Sequence, residues 1–281
     1  MEDLDLWTSR WVANGVLGVK LTSWRHFHEY ICKYVLSTND FVWRGQTSST
    51  WPLMSRLDRR LKEFPTVKKG LLASAHLEEF KYAVRGRRGG NPPKIENEND
   101  WWSLGQHHGL ITPLLDWTMS PFVALYFAFI EESRSKEATC AVFALNKRVI
   151  EATNQVIRAK KKLKGEHPTL EFVMPLVSDN PRLVSQGGLF TRGPSGISIR
   201  DWIVYHASIR KHIQPMASSK VRDEDDEDMD RVGMIEIEIP DKGRDDCLVA
   251  LNRMNINHLS LFPDILGASE FCNVRLARPG Y

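Results

Sequence analysis

The rhythm of apolar positions changes several times along this chain, and each change marks an element. In TSWRHFHEYICKYVL (22–36), Trp24, Phe27, Tyr30, Ile31, Tyr34 and Val35 recur at helical spacing, with Thr22 or Ser23 as N-cap. FVWRGQ (41–46) predicts a short strand ending at Gly45; a turn and WPLMSRLDRRL follow, then a helix over 70–84. Gly, Pro and Asn mark 86–99 as loop. The stretch LGQHHGLITPLLDWTMSPFVALYFAF (104–129) then passes from polar and aromatic residues into an unbroken apolar helix. Pro121 stands at its first turn, and the helix is expected over about 121–134.

Further on, TCAVFAL (139–145) predicts a buried strand, 147–165 a basic helix, and RLVSQGGLFTRG (182–193) a strand with a turn. DWIVYHASI (201–209) and GMIEIEIP (233–240) alternate as strands, with Pro240 ending the second. CLVALNRMNIN and LSLFPDILGASEF suit small closing helices. Strands and helices mix without a regular strand–helix–strand alternation, so the expected class is α+β. One domain over 1–281 is expected, with its core at about 20–270 and a mobile acidic loop at about 216–231.

Composition narrows this picture. The chain has 281 residues, 42% of them apolar, enough to bury a core. Its net charge of +3 gives no global polyelectrolyte signal, but basic residues gather at 81–94 (Arg85, Arg87, Arg88) and 158–165 (Lys160, Lys161, Lys162). Such runs are commonly solvated surface; two of them framing the dense motif leave room for an anionic partner. Four cysteines without a CxxC or short spacing make neither a disulfide framework nor a zinc site. The N-terminus lacks a signal-peptide pattern and the longest apolar run is too short for a membrane span, so a soluble cytoplasmic protein is expected.

The chemistry centres on a few residues. Arg44 ends an apolar strand and must direct its head to something polar: a phosphate or carboxylate ligand, or a structural ion pair with Asp116. Gly45 beside it leaves backbone open to a close ligand. His107 and His108 lack further ligands at metal spacing, so no metal is expected and one of them is a candidate to bond a ligand hydroxyl. Asp116, Thr118 and Ser120 precede the Pro121 helix, where free N–H groups and a positive dipole end favour either a simple cap or a phosphorylated ligand. Signatures for P-loop and Rossmann nucleotide sites, serine hydrolases and zinc proteases are missing.

FVWRGQ, the 104–129 run, SQGGLFT (185–191) and LSLFPDILG (259–267) together resemble the FRG domain family, with Trp43 in place of the family's Phe. The resemblance spans roughly 20–270. More distantly, the arrangement is similar to the ADP-ribosyltransferase fold, which implies a split mixed or antiparallel sheet with flanking helices. On that resemblance Arg44 and Gly45 form the first element, Thr118 and Ser120 the second, and Gln186 the third, where a glutamate is usual. The implied co-substrate is NAD, without metal. Arg44, Gly45, Gln106, His107, His108, Asp116, Trp117, Thr118 and Phe190 would bind it, an aromatic such as Trp117 or Phe190 stacking on nicotinamide. Arg44, Gln186, Ser120 and Thr118 would be catalytic. Glu236 and Glu238, two apart on one strand face, are the rival third element.

The resemblance thus implies an ADP-ribosyltransferase of toxin or antiviral-effector type. RNA or DNA is favoured over protein as acceptor because of the basic residues, and a cognate antitoxin or inhibitor would restrain it. A non-catalytic nucleotide or nucleic-acid binding module is the first alternative. A metal-independent ribonuclease using His107 or His108 as base is the second.

Overall fold

Eight strands hydrogen-bond into one open sheet in a computed structural model that describes residues 6–131, 139–159, 167–175, 184–210, 232–278 and 280–281. The strands are β1 (Trp7–Ala13), β2 (Val16–Leu21), β3 (Phe41–Gln46), β4 (Leu114–Thr118), β5 (Thr139–Asn146), β6 (Glu171–Val173), β7 (Gly188–Arg192) and β8 (Met234–Pro240). Their spatial order is β1-β2-β8-β5-β3-β4-β7-β6. β2 and β8 run parallel and the other neighbours antiparallel, so the fold is α+β with a mixed sheet. β3 pairs with β5 along its whole length but meets β4 in register only at Trp43 and Thr118. At that seam the sheet opens.

Alternation along the strands sends side chains to two covered faces. On one, Trp43, Val142, Ala144, Ile235 and Ile237 pack against α1 (His26–Tyr34), α5 (Pro121–Phe129) and α9 (Arg244–Arg253). On the other, Val42, Phe143, Leu145 and Met234 meet α6 (Lys147–Arg158) and α7 (Ile199–Tyr205) through Ile150, Ile157, Trp202 and Ile203. A smaller cluster joins α2 (Arg56–Arg60), α3 (Thr66–Ala83) and α4 (Glu98–His107) to β4 and β7 through Leu57, Leu77, Trp102, Leu114 and Phe190. α8 (Ala207–Arg210) follows α7 ahead of β8, and α10 (His258–Leu261) and α11 (Ile265–Ala277) follow α9.

Helix α5 is the central element. Ser120 caps it by accepting the Val123 N–H at 3.3 Å, and Pro121 occupies the first turn, where no N–H is needed. Six of its residues are buried, including Ala124 and Ala128, as expected of a helix apolar all round. It ends at Phe129, short of the expected 134.

Three other expectations change. DWIVYHASI is not a strand: Ser198 accepts the Asp201 N–H at 3.1 Å and starts α7, whose Ile199, Trp202 and Ile203 are buried at helical spacing. The N-terminal hairpin β1–β2, turning on Asn14 and Gly15, adds to the expected elements. Helix α4, capped by Asn97, starts at Glu98, so the end of the expected 86–99 loop is helical. The acidic loop at 216–231 and Lys160, Lys161 and Lys162 lie outside the described residues.

Candidate functional site

A pocket of about 400 Å³ opens at the β3/β4 seam. Its walls include Arg44, Gly45 and Gln46 from β3, Trp51 and Arg59 beyond it, Asp116 and Thr118 from β4, Glu131 after α5, Gln186 and Phe262. The volume lies within the range common for small-molecule sites.

Arg44 projects from β3 into the opening. Its Nη1 donates to the Asp116 carbonyl at 2.8 Å and lies 3.6 Å from the Asp116 carboxylate. The expected structural ion pair with Asp116 therefore exists, and it leaves the rest of the guanidinium at the pocket wall. The Arg44 Nε is buried with no hydrogen-bond partner among the described residues. Burial pulls the Arg44 pKa below the ordinary guanidinium range, against the opposing influence of Asp116. Gln106 steadies the acid from behind, its Nε2 donating to both Asp116 oxygens at 3.0 Å while Thr112 donates to its Oε1.

Gly45 is glycine for packing. A Cβ there would stand 2.0 Å from the Ala124 carbonyl oxygen and 2.5 Å from the Ala128 nitrogen, so that side of β3 is closed by α5. Close helix approach, not open space for a ligand, is what the residue provides on that face.

The third element is a turn bolted to the end of β4. Thr118 Oγ1 donates to the Gln186 carbonyl at 2.5 Å and accepts the Ser120 N–H at 3.1 Å, while Met119 N donates to the Gly187 carbonyl at 2.9 Å. Gly187 has φ 54°, a left-handed conformation that lets the chain reverse into β7. The Gln186 side chain lines the pocket and its Nε2 donates to the Leu261 carbonyl at 3.2 Å.

The structure thus brings Arg44, Gly45, Asp116, Trp117, Thr118 and Gln186 to one pocket. Ser120, Gln106, His107, His108 and Phe190 are not among its lining residues. Ser120 is spent as a cap, and His107 and His108 meet edge to face, ring centres 4.8 Å apart, where α4 ends. Phe190 is 3% exposed in the α3–α4 cluster, so it does not supply the expected stacking ring. Trp117 does not either: its ring is buried on the α6–α7 side and its Nε1 donates to Thr191 at 2.8 Å. The Thr118 hydroxyl already donates within the protein.

Sequence reasoning passed over Arg59, Trp51 and Glu131. Arg59 is anchored by Nη1 donating to the Met54 carbonyl at 2.7 Å, and it is held below the ordinary guanidinium range by partial burial, then by the positive charges of Arg44 and Arg56. Trp51 is 49% exposed, an aromatic surface at the pocket mouth. For Arg59 the crowding of arginines in SRLDRR is the signal that could have found it.

Glu236 and Glu238 line a second cavity with Thr8, Arg10, Lys20 and Ser49. Glu236 pairs with Arg200 at 2.9 Å and Glu238 with Lys20 at 3.2 Å. Burial raises the Glu236 carboxyl above its ordinary range, against Arg200. Both acids are absent from the lining of the seam pocket. Arg85 and Arg88, also away from it, lie over the rings of Tyr82 and Trp101 at 3.5 and 5.3 Å. Among the described residues no cluster of His, Cys, Asp or Glu could hold a metal, and no helix is long and apolar enough to cross a membrane.

These features define a polar pocket at an open sheet seam, formed mainly by one continuous segment of sequence. That segment carries an FRG domain: residues 39–137 match the family model, and they include Arg44, Arg59, Asp116, Thr118 and Glu131. Gln186 and Phe262 complete the wall from outside the match. No curated protein and no solved structure matches the chain.

Proposed function

We propose that the chain is an NAD-consuming ADP-ribosyltransferase whose dinucleotide lies in the seam pocket. The observation that carries the reading is a pair of guanidiniums, Arg44 and Arg59, in one wall. Arg44 is paired with Asp116, whereas Arg59 makes no ion pair among the described residues. Two like charges held close disfavour each other until an anion arrives, and a pyrophosphate offers oxygens to both forks. Trp51 gives a flat apolar surface for a planar base, and Gln186 offers an amide for a ribose hydroxyl. The same wall collects the Arg-Gly strand, the Thr118 strand end and the Gln186 turn, the three elements of the transferase resemblance.

Within this reading the chain works by positioning and charge. Holding pyrophosphate and ribose still removes much of the orientational cost of attack at the anomeric carbon. Asp116 and Gln106 keep Arg44 in place. The acceptor is a macromolecule, with nucleic acid favoured by the basic run of Arg85, Arg87 and Arg88, in which Arg85 lies over the exposed Tyr82 ring.

Isothermal titration of NAD and of adenosine into wild type and Arg59→Ala tests the reading. Removing a charge-assisted hydrogen bond of about 1.5–3 kcal/mol corresponds to NAD binding weakened by roughly 10–150-fold. Adenosine, which has no phosphate, should be unaffected. Equal NAD affinity in the variant would remove the pyrophosphate assignment. A binding module is the second reading, favoured by the neutral Gln186 and the engaged Thr118 hydroxyl; its mark is NAD binding without nicotinamide release.

A further inference from the structure

We infer that Glu131 supplies the negative charge that Gln186 cannot. The inference rests on the dinucleotide reading of the seam pocket and names the acid that reading lacks. Two carboxylates line the pocket, Asp116 and Glu131. Asp116 is committed, with Arg44 3.6 Å away and two hydrogen bonds from Gln106. The Glu131 carboxylate makes no hydrogen bond or ion pair among the described residues. Its charge is therefore available to a ligand.

Its backbone is nevertheless held, while the side chain stays exposed. Glu131 follows the C-terminus of α5, where carbonyls lack helical partners. Arg244 Nη1 donates to the carbonyls of Phe129 and Glu131, its guanidinium lies 5.7 Å from the centre of the Phe129 ring, and its Nη2 is paired with Asp241. With 11% of its side chain exposed, Arg244 is a built clamp rather than a surface cation. It secures the Glu131 backbone and leaves the carboxylate alone. Nothing in the packing of α5 requires an acid there, since the helix core is complete at Phe129.

The chemistry explains the need. When the bond between the ribose anomeric carbon and the nicotinamide nitrogen breaks, its electron pair leaves with neutral nicotinamide and positive charge spreads over the anomeric carbon and ring oxygen. The Glu131 carboxylate, exposed at the pocket wall, offsets that charge. An acceptor O–H or N–H then bonds to the anomeric carbon, and its proton passes to Glu131 and on to solvent.

The test uses the full chain as wild type, Glu131→Gln and the double variant Glu131→Gln with Gln186→Glu. NAD affinity is read by titration, and nicotinamide release is read by chromatography in the presence of cellular RNA, DNA and lysate protein. Loss of a stabilising charge predicts release slowed by roughly 100-fold or more in Glu131→Gln at NAD affinity within about twofold of wild type. The double variant, which restores one charge in the same wall, should recover part of the missing rate; a merely structural role would not give that recovery. Glu131→Gln releasing nicotinamide at the wild-type rate, or losing NAD affinity instead of rate, overturns the inference while leaving the transferase reading intact. Wild type that binds NAD and releases no nicotinamide overturns both.

Discussion

Gly45→Ala is the substitution that best separates packing from ligand binding at the first element of the site. The added Cβ would stand 2.0 Å from the Ala124 carbonyl oxygen and 2.5 Å from the Ala128 nitrogen, both backbone atoms of α5. Restoring even a tight carbon–oxygen contact of about 3 Å requires β3 and α5 to part by roughly 1 Å, and no rotamer change can supply it. A gap of that size forfeits about a quarter to a half of the dispersion attraction across the contact. Six buried α5 residues share the loss, so the expected destabilisation is at least 3 kcal/mol, at the upper end for overpacking. Equilibrium unfolding in guanidinium chloride gives the number, with wild type and the variant compared at the same slope. A change below about 1 kcal/mol would refute the packing argument and return Gly45 to the role of ligand-facing backbone.

Three other outcomes follow from particular interactions. Trp117→Phe leaves the buried Thr191 hydroxyl without its 2.8 Å donor, so stability should fall by about 1–3 kcal/mol while NAD affinity stays unchanged; weaker NAD binding at full stability would put the ring back in the pocket. His258, whose Nδ1 shares a 2.6 Å hydrogen bond with the Tyr126 hydroxyl, is held below the ordinary histidine range by burial, against a smaller pull from Glu270. The unfolded chain then takes up a proton that the folded chain resists, so stability is full above the ordinary histidine pKa of about 6.5 and declines as pH falls below it. Denaturation at pH 7.5 and 5 should show that decline in wild type and a flatter response in His258→Asn. Arg85→Ala with Arg88→Ala should weaken single-stranded RNA binding and lower the salt slope by about 0.7 for each phosphate no longer neutralised, read by fluorescence anisotropy across a salt series; an unchanged slope would clear that face of a nucleic-acid role.

What the sequence disclosed depended on whether the signal was local. Ser120 and Pro121 mark the start of α5 because cap and first-turn chemistry act over four residues, and the structure follows them. The Arg44–Asp116 pair could be named as an alternative because few polar heads end apolar strands, though 72 residues separate the two. Asn14 and Gly15 between WTSRWVA and VLGVKL are a hairpin signal of the ordinary kind, obscured because Thr8, Ser9 and Arg10 interrupt the first strand's apolar pattern. DWIVYHASI misleads because a short apolar run fits both periods, and the Ser198 cap that decides for helix lies just outside it.

The purpose of Gly45 is hidden for a different reason. Only the crossing of α5 over β3 reveals it, and crossing geometry is not written in the local pattern. The same holds for Trp117 and Phe190, whose faces are set by register with β7, and for Arg59 and Glu131, which meet Arg44 only once the seam forms.

The most direct measurement of the central claim follows the ADP-ribose itself. NAD labelled in the adenylate phosphate is incubated with the protein, total cellular RNA, single- and double-stranded DNA and lysate protein, with Arg44→Ala, Arg59→Ala and Gln186→Ala in parallel. The account predicts label on one class of macromolecule with wild type, abolished with Arg44→Ala and strongly reduced with the other two. Label on no macromolecule, with NAD bound and intact, would contradict it and leave a pocket that holds a dinucleotide without breaking it.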